Sequence, residues 1–137
     1  STALLLPDGR VLHAGGGDGG STPNNLNYEV YSPPYLFKGP RPGINGATPD
    51  AVTYGQTIDV PSPDAASISK VTLIRMGSVT HAFDQSQRLV PLSFSASSGR
   101  VSVTLPGRRN VAPPGPYLLF LVNGDGVPSV GRIMLLR

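Results

Sequence analysis

Apolar residues in this chain come in short runs, and the gaps between them are filled with Gly, Pro, Ser, Asn and Asp. No stretch of useful length carries the 3.6-residue repeat of an amphipathic helix, so the pattern predicts an all-β protein. Residues 1–14 read as a hairpin: an apolar strand over 3–6, the turn Pro7-Asp8-Gly9, and a return strand over 10–14. A lone two-stranded hairpin is marginal in water. Leu4, Leu5, Leu6 and Leu12 therefore need a sheet to join, or the hairpin is expected to fray, add to a sheet edge, or swap into a strand-swapped homodimer. The glycine-rich stretch 15–20 lacks the Gly-Lys-Ser/Thr ending and following helix of a phosphate loop. It reads instead as backbone squeezed between neighbours or turning sharply. Residues 21–50 form a long irregular connection. Tyr28-Glu29-Val30-Tyr31 reads as a short strand, and Tyr35-Leu36-Phe37 as a plug for an adjacent domain.

From residue 43 onward, turn signals recur every eight to twelve residues. Candidate strands are 51–54, 57–60, 70–75, 79–83, 88–94, 100–105, 115–123 and 127–136. Val101, Val103 and Leu105 alternate with polar neighbours, as in a strand with one wet face. Leu118-Leu119-Phe120-Leu121-Val122 is apolar throughout, which predicts burial on both faces, and Asn123-Gly124-Asp125-Gly126 turns the chain into its last strand. Seven or eight short strands over ~95 residues predict an immunoglobulin-like β-sandwich. The division falls near residue 40, giving 1–40 as a fragment and 41–137 as the sandwich.

Composition narrows the function. With 17 Gly and 15 Pro in 137 residues the chain approaches the composition of disordered proteins, and the apolar runs argue against that reading. The net charge is +3, but the basic residues are scattered, apart from Arg108-Arg109, with few aromatics beside them. Nucleic acid is not an expected partner. Nothing resembles a membrane span. There is no cysteine, hence no disulfide and no thiol chemistry. The first residue is Ser1, with no initiating methionine, and the chain is read as a piece of something longer.

Chemistry concentrates between the apolar runs ending at Ile74 and beginning at Leu89, where His81, Asp84, Gln85, Gln87 and Arg88 stand close together. A lone histidine is ordinarily a surface or core residue. This one lies on a polar crossing between strands, where it can be presented beyond the domain's tip, with Thr80, Asp84, Gln85 and Arg88 placed to orient the loop. Arg75 either braces that loop or ends its strand with the charge in water. A copper or zinc centre needs three or four donors. The chain has two histidines, His13 and His81, without ligand spacing, so a complete site is not expected, and His81 is at most one arm of a shared one. Asp18, Asp84 and Asp125 read as solvated turn residues rather than an acid–base pair.

The run from Leu73 to Phe94, with Ser78-Val79-Thr80-His81-Ala82-Phe83-Asp84-Gln85-Ser86-Gln87-Arg88 at its centre, closely resembles the C-terminal domain of the galactose oxidase and glyoxal oxidase family of copper radical oxidases. Leu4-Leu5-Leu6-Pro7-Asp8-Gly9-Arg10-Val11 resembles that family's last propeller segment. Tyr31-Ser32-Pro33-Pro34-Tyr35-Leu36-Phe37 resembles its linker, and Pro113 to Asn123 with Gly126-Val127-Pro128-Ser129 its closing hairpin. The resemblance implies an early set, immunoglobulin-like domain here and a seven-bladed kelch-type propeller upstream, with residues 1–40 as a remnant of the last blade. It implies that His81 reaches copper on a loop passing through the propeller. It places a tyrosine–histidine ligand pair just before Ser1, and a cysteine-linked tyrosine further upstream. A secreted parent would then oxidise a primary alcohol or aldehyde, carbohydrate or small molecule, with O2 giving H2O2. This chain alone would be inactive and hold no copper tightly. The alternative is a non-catalytic structural or carbohydrate-binding sandwich of a kelch-type protein.

Overall fold

The computed structural model describes residues 1–17 and 19–137. Its strands are β1 (Thr2–Leu5), β2 (Val11–Ala14), β3 (Tyr28–Tyr31), β4 (Ala51–Val52), β5 (Thr57–Pro61), β6 (Ile68–Arg75), β7 (Val79–Thr80), β8 (Phe83–Asp84), β9 (Leu89–Ser97), β10 (Arg100–Thr104), β11 (Gly115–Asn123) and β12 (Arg132–Leu136). Two single 3-10 turns, Pro34–Phe37 and Ala65–Ser67, are the helical elements among the described residues.

Seven of these strands run in the order β4-β12-β11-β6-β9-β10-β5. The long strand β9 serves both leaves of the sandwich. Residues 89–92 pair with β6, and residues 93–97 pair with β10. The leaf β4-β12-β11-β6 thereby faces β10 and β5 across one shared core, the immunoglobulin-like arrangement the strand spacing predicts. Leu73, Leu119 and Met134 from one leaf meet Ile58, Val60 and Val103 from the other. Each buried aliphatic side chain of this size stabilises the fold by roughly 1.5–3 kcal/mol relative to exposure.

Strand β11 is buried on both faces. Tyr117, Leu119 and Leu121 belong to the sandwich core, whereas the equally buried Leu118 and Phe120 do not. The pleat turns those two to the outer face, and residues 1–40 cover it. Leu5, Gly9 and Tyr35 line an apolar cavity together with Thr72, Ile74 and Phe120. Two polar ties hold this cover down, and a third fastens it internally. The Arg41 guanidinium donates to the carbonyls of Asp8 (2.7 Å), Pro128 (2.9 Å) and Ser129 (2.7 Å). The Gly131 N–H donates to Pro7 O at 2.8 Å, and the Tyr35 hydroxyl to Gly9 O at 2.5 Å. Burial pushes the Tyr35 phenol above its ordinary pKa of 10.0, against the opposing pull of the Arg41 charge.

The hairpin finds its sheet within the chain. β3 pairs antiparallel with β2, making the order β1-β2-β3. Neither face of β3 is covered, since Tyr28, Glu29, Val30 and Tyr31 are all exposed. The glycine-rich stretch behaves as a close approach: at Gly17, with φ +91°, a Cβ would stand 2.5 Å from the Pro23 carbonyl oxygen.

Several sequence expectations need correction. The stretch 79–83 is not one strand but two, β7 and β8, because the chain reverses at residues 81–82. The last strand begins at Arg132 rather than at 127. Pro128 has no N–H to donate, and the carbonyls of Pro128 and Ser129 turn to Arg41 instead of a ladder. Tyr35 and Leu36 pack on the chain's own hairpin turn at Gly9, and Tyr35 at the same time faces Thr72, Ile74 and Phe120 of the sandwich. Phe37 alone of the three projects outward, 76% exposed.

Candidate metal-ligand loop

The loop that carries the polar cluster leaves the sandwich and returns to it at one point. β6 ends at Arg75 and β9 starts at Leu89, and the Arg75 N–H donates to the Arg88 carbonyl at 2.9 Å across the neck. Inside the loop, Val79 pairs with Asp84 and Thr80 with Phe83, so His81 and Ala82 are the two turn residues of a minimal hairpin. Such turns demand φ > 0 at the first central position. His81 has φ +56°, the only positive value among the described non-glycine residues. A side chain held there costs on the order of 1–3 kcal/mol of backbone strain. His81→Gly is therefore expected to raise the unfolding free energy by about 1 kcal/mol, read from denaturant melts; a destabilised variant would show that the turn is unstrained.

The imidazole of His81 is exposed at the tip. Its Nδ1 lies 3.0 Å from Thr80 Oγ1. When Nδ1 carries the ring proton it donates to that hydroxyl, and Nε2 keeps its lone pair, with no hydrogen-bond partner among the described residues. A partner on one ring nitrogen is how proteins set the tautomer of a ligating histidine.

The other predicted support residues act at different places. The Gln85 N–H donates to Ser78 O at 3.2 Å and helps close the loop through its backbone, while its side chain is exposed. Arg88 turns away and donates to the carbonyls of Asn110 (3.0 Å) and Val111 (2.7 Å). Arg75 donates to Pro113 O (2.9 Å), Pro114 O (3.0 Å) and Tyr117 Oη (3.3 Å), with its guanidinium carbon 5.4 Å from the Tyr117 ring centre. Both arginines thus anchor the loop's neck to the 108–117 segment, and their side chains do not reach the turn. The residue inside the loop is Asp84, half-buried, whose Oδ1 accepts from the N–H groups of Ser78 (3.0 Å) and Ser86 (3.2 Å). That pattern corrects its reading as a solvated turn residue and agrees with its placement among the residues that orient the loop. The signal available in the sequence was a carboxylate with serines on both sides, able to cap free amides.

The loop leans on the first strand. A Cβ at Gly77 would lie 2.6 Å from the Leu4 Cδ1 methyl and 2.8 Å from Asp84 Oδ2. Ser1, Thr2, Ala3 and His13 line one cavity with Ala82, Asp84 and Gln87, so the chain's two ends of interest meet here: its first residue and the His81 turn. Among the described residues no three His, Cys, Asp or Glu side chains cluster as a metal site. Asp125 sits in the turn after β11, where its N–H donates to Asn123 Oδ1 at 3.1 Å, and Asp18 lies outside the described residues. Asp8, in the first hairpin turn, is held below the usual 3.8 by the Arg10 backbone N–H, with the Arg10 guanidinium adding to it. No two of the described carboxylates are brought together as an acid–base pair.

Comparison with known proteins places this geometry. The galactose oxidase-like, early set domain family matches residues 41–136. The chain is 40% identical to a galactose oxidase of Gibberella zeae over 95% of its own length and 20% of that protein's. It is 39% identical to an aldehyde oxidase of Vitis pseudoreticulata, covering 96% of the chain and 28% of the relative. A solved fungal alcohol oxidase of the AA5 family, in complex with copper, superposes with a TM-score of 0.86 at 32% identity, covering 99% of this chain and 30% of that one. The chain therefore spans between a fifth and a third of the length of these proteins. On the family match and on these relatives, the chain belongs to the galactose oxidase-like early set domain family of the copper radical oxidases.

Proposed function

We propose that this chain is the C-terminal part of a copper radical oxidase-like parent, to which His81 lends one imidazole nitrogen. The observation that carries the reading is the exposed His81 at the tip of a strained two-residue turn, with Thr80 on Nδ1 and, among the described residues, no hydrogen-bond partner on Nε2. One nitrogen is a fitting but incomplete donor set for copper, which takes three or four. The rest would come from an upstream kelch-type propeller, with residues 1–40 as the remnant of its last blade and 41–137 as the sandwich. A segment entering at Ser1 would be delivered beside the His81 turn, because Ser1 lines the same cavity as Ala82. The uncovered β3 and the exposed Phe37 fit a surface made for such a neighbour.

Bound copper would supply the redox chemistry: a primary alcohol or aldehyde, free or on a carbohydrate, is oxidised while O2 is reduced to H2O2. This chain's part is to hold Nε2 unprotonated and in place. The parent is read as secreted, and the isolated chain as inactive. Calorimetric titration of the chain with Cu2+ should find no stoichiometric site in the nanomolar range, and such a site would contradict a shared centre. In the parent, His81→Ala should weaken copper binding on the order of 100-fold or more and abolish H2O2 formation. A variant that keeps both would sink the proposal.

A further inference from the structure

We infer that Asp84 is the positioning residue of the His81 turn, acting as a hydrogen-bond acceptor rather than as a charge; its link to copper rests on the function proposed above. Asp84 Oδ1 gathers the amides of Ser78 and Ser86 from the two arms of the loop, 3.0 and 3.2 Å away, and so ties residues before and after the turn to one atom. Among the described residues Asp84 takes part in no ion pair. Its other oxygen, Oδ2, packs over Gly77 on the side where Leu4 of β1 also rests. The hairpin β7–β8 has only two residue pairs of its own, Val79 with Asp84 and Thr80 with Phe83, too few to hold a strained turn in water. The carboxylate supplies the missing constraint. It fixes the height of His81 relative to β1, and hence to whatever enters at Ser1.

If the role is that of an acceptor, Asp84→Asn retains it, because the amide oxygen can take both N–H groups, and Asp84→Ala loses it. Amide hydrogen exchange by NMR on this chain is the test. In D84A, Ser78 and Ser86 should exchange tenfold or more faster, and the imidazole 15N shifts of His81 should move toward those of a free imidazole. Leu119 and Leu121 should keep their protection, which reports an intact sandwich. D84N should restore both signals. Gly77→Ala leaves the carboxylate in the chain but pushes it off its seat, and should loosen Ser78 and Ser86 as D84A does. Unchanged protection in D84A, or a D84N variant as loose as D84A, would overturn the assignment. The copper link has its own arm: in the parent, D84A should alter the Cu(II) EPR hyperfine pattern and D84N should not. A parent whose copper spectrum ignores His81→Ala refutes the ligand reading, and exchange in the chain still decides what Asp84 does.

Discussion

Leu119→Ala is expected to destabilise the sandwich by about 3–5 kcal/mol, the largest effect of any single truncation considered. Leu119 is fully buried at the centre of β11, opposite Leu73 on β6 and Arg132 on β12. Both neighbouring strands are pinned by their ladders, so the cavity cannot close by moving one of them. The loss combines the transfer free energy of the missing carbons with the cost of an unfilled space. A domain of this size has a total of roughly 5–15 kcal/mol to lose, so the variant should unfold near or below 37 °C. Leu118→Ala is the control. The same chemistry is removed one residue away, but from the outer face, so the 1–40 cover should loosen while the core keeps its cooperativity. Thermal melts followed by near-UV circular dichroism separate the two. Equal and global effects of both changes would show that β11 does not divide two compartments.

Arg41→Ala should release the β1-β2-β3 sheet from the sandwich at a cost of about 3 kcal/mol. One guanidinium donates to three carbonyls that belong to two separate parts of the chain, the hairpin turn at Asp8 and the crossing at Pro128 and Ser129. Hydrogen bonds from a charged donor are worth roughly 1.5–3 kcal/mol each, and three sharing one group do not add fully. The carbonyls would also be left partly buried without a donor. Arg41→Lys should recover little, because an ammonium on one stem cannot span the fork of three acceptors. The expected signature is local: exchange protection in residues 2–14 falls by two orders of magnitude, while β6 and β11 stay protected. Protection retained in the alanine variant would show that apolar contact around Leu5, Tyr35 and Phe120 holds the sheet without the arginine.

How much of this was legible beforehand depends on whether the signal was local. The five apolar residues from Leu118 were readable as a strand covered on both sides, because no polar side chain marks either face. The polar interval around His81 was readable as the place for chemistry. Its hairpin was not: a turn at His81-Ala82 carries neither Gly nor Asn, the residues that ordinarily announce φ > 0. Arg41 was invisible as a clip, since one arginine between two prolines says nothing of carbonyls 33, 87 and 88 positions away. Asp84 was readable both as a loop-orienting residue and as a solvated turn carboxylate; which groups it holds was not, because the amides of Ser78 and Ser86 belong to the main chain.

Strand periodicity and turn chemistry are properties of neighbouring residues, and from them the primary structure alone determined an all-β sandwich and a polar crossing between strands that carries a histidine. Tertiary structure alone decided which backbone groups the arginines and Asp84 satisfy, which side of the sandwich the first forty residues cover, and that Ser1 lies beside the His81 turn. Those outcomes depend on where distant segments come to rest once the core is packed, and hydrogen bonds to main-chain atoms leave no trace in the order of side chains.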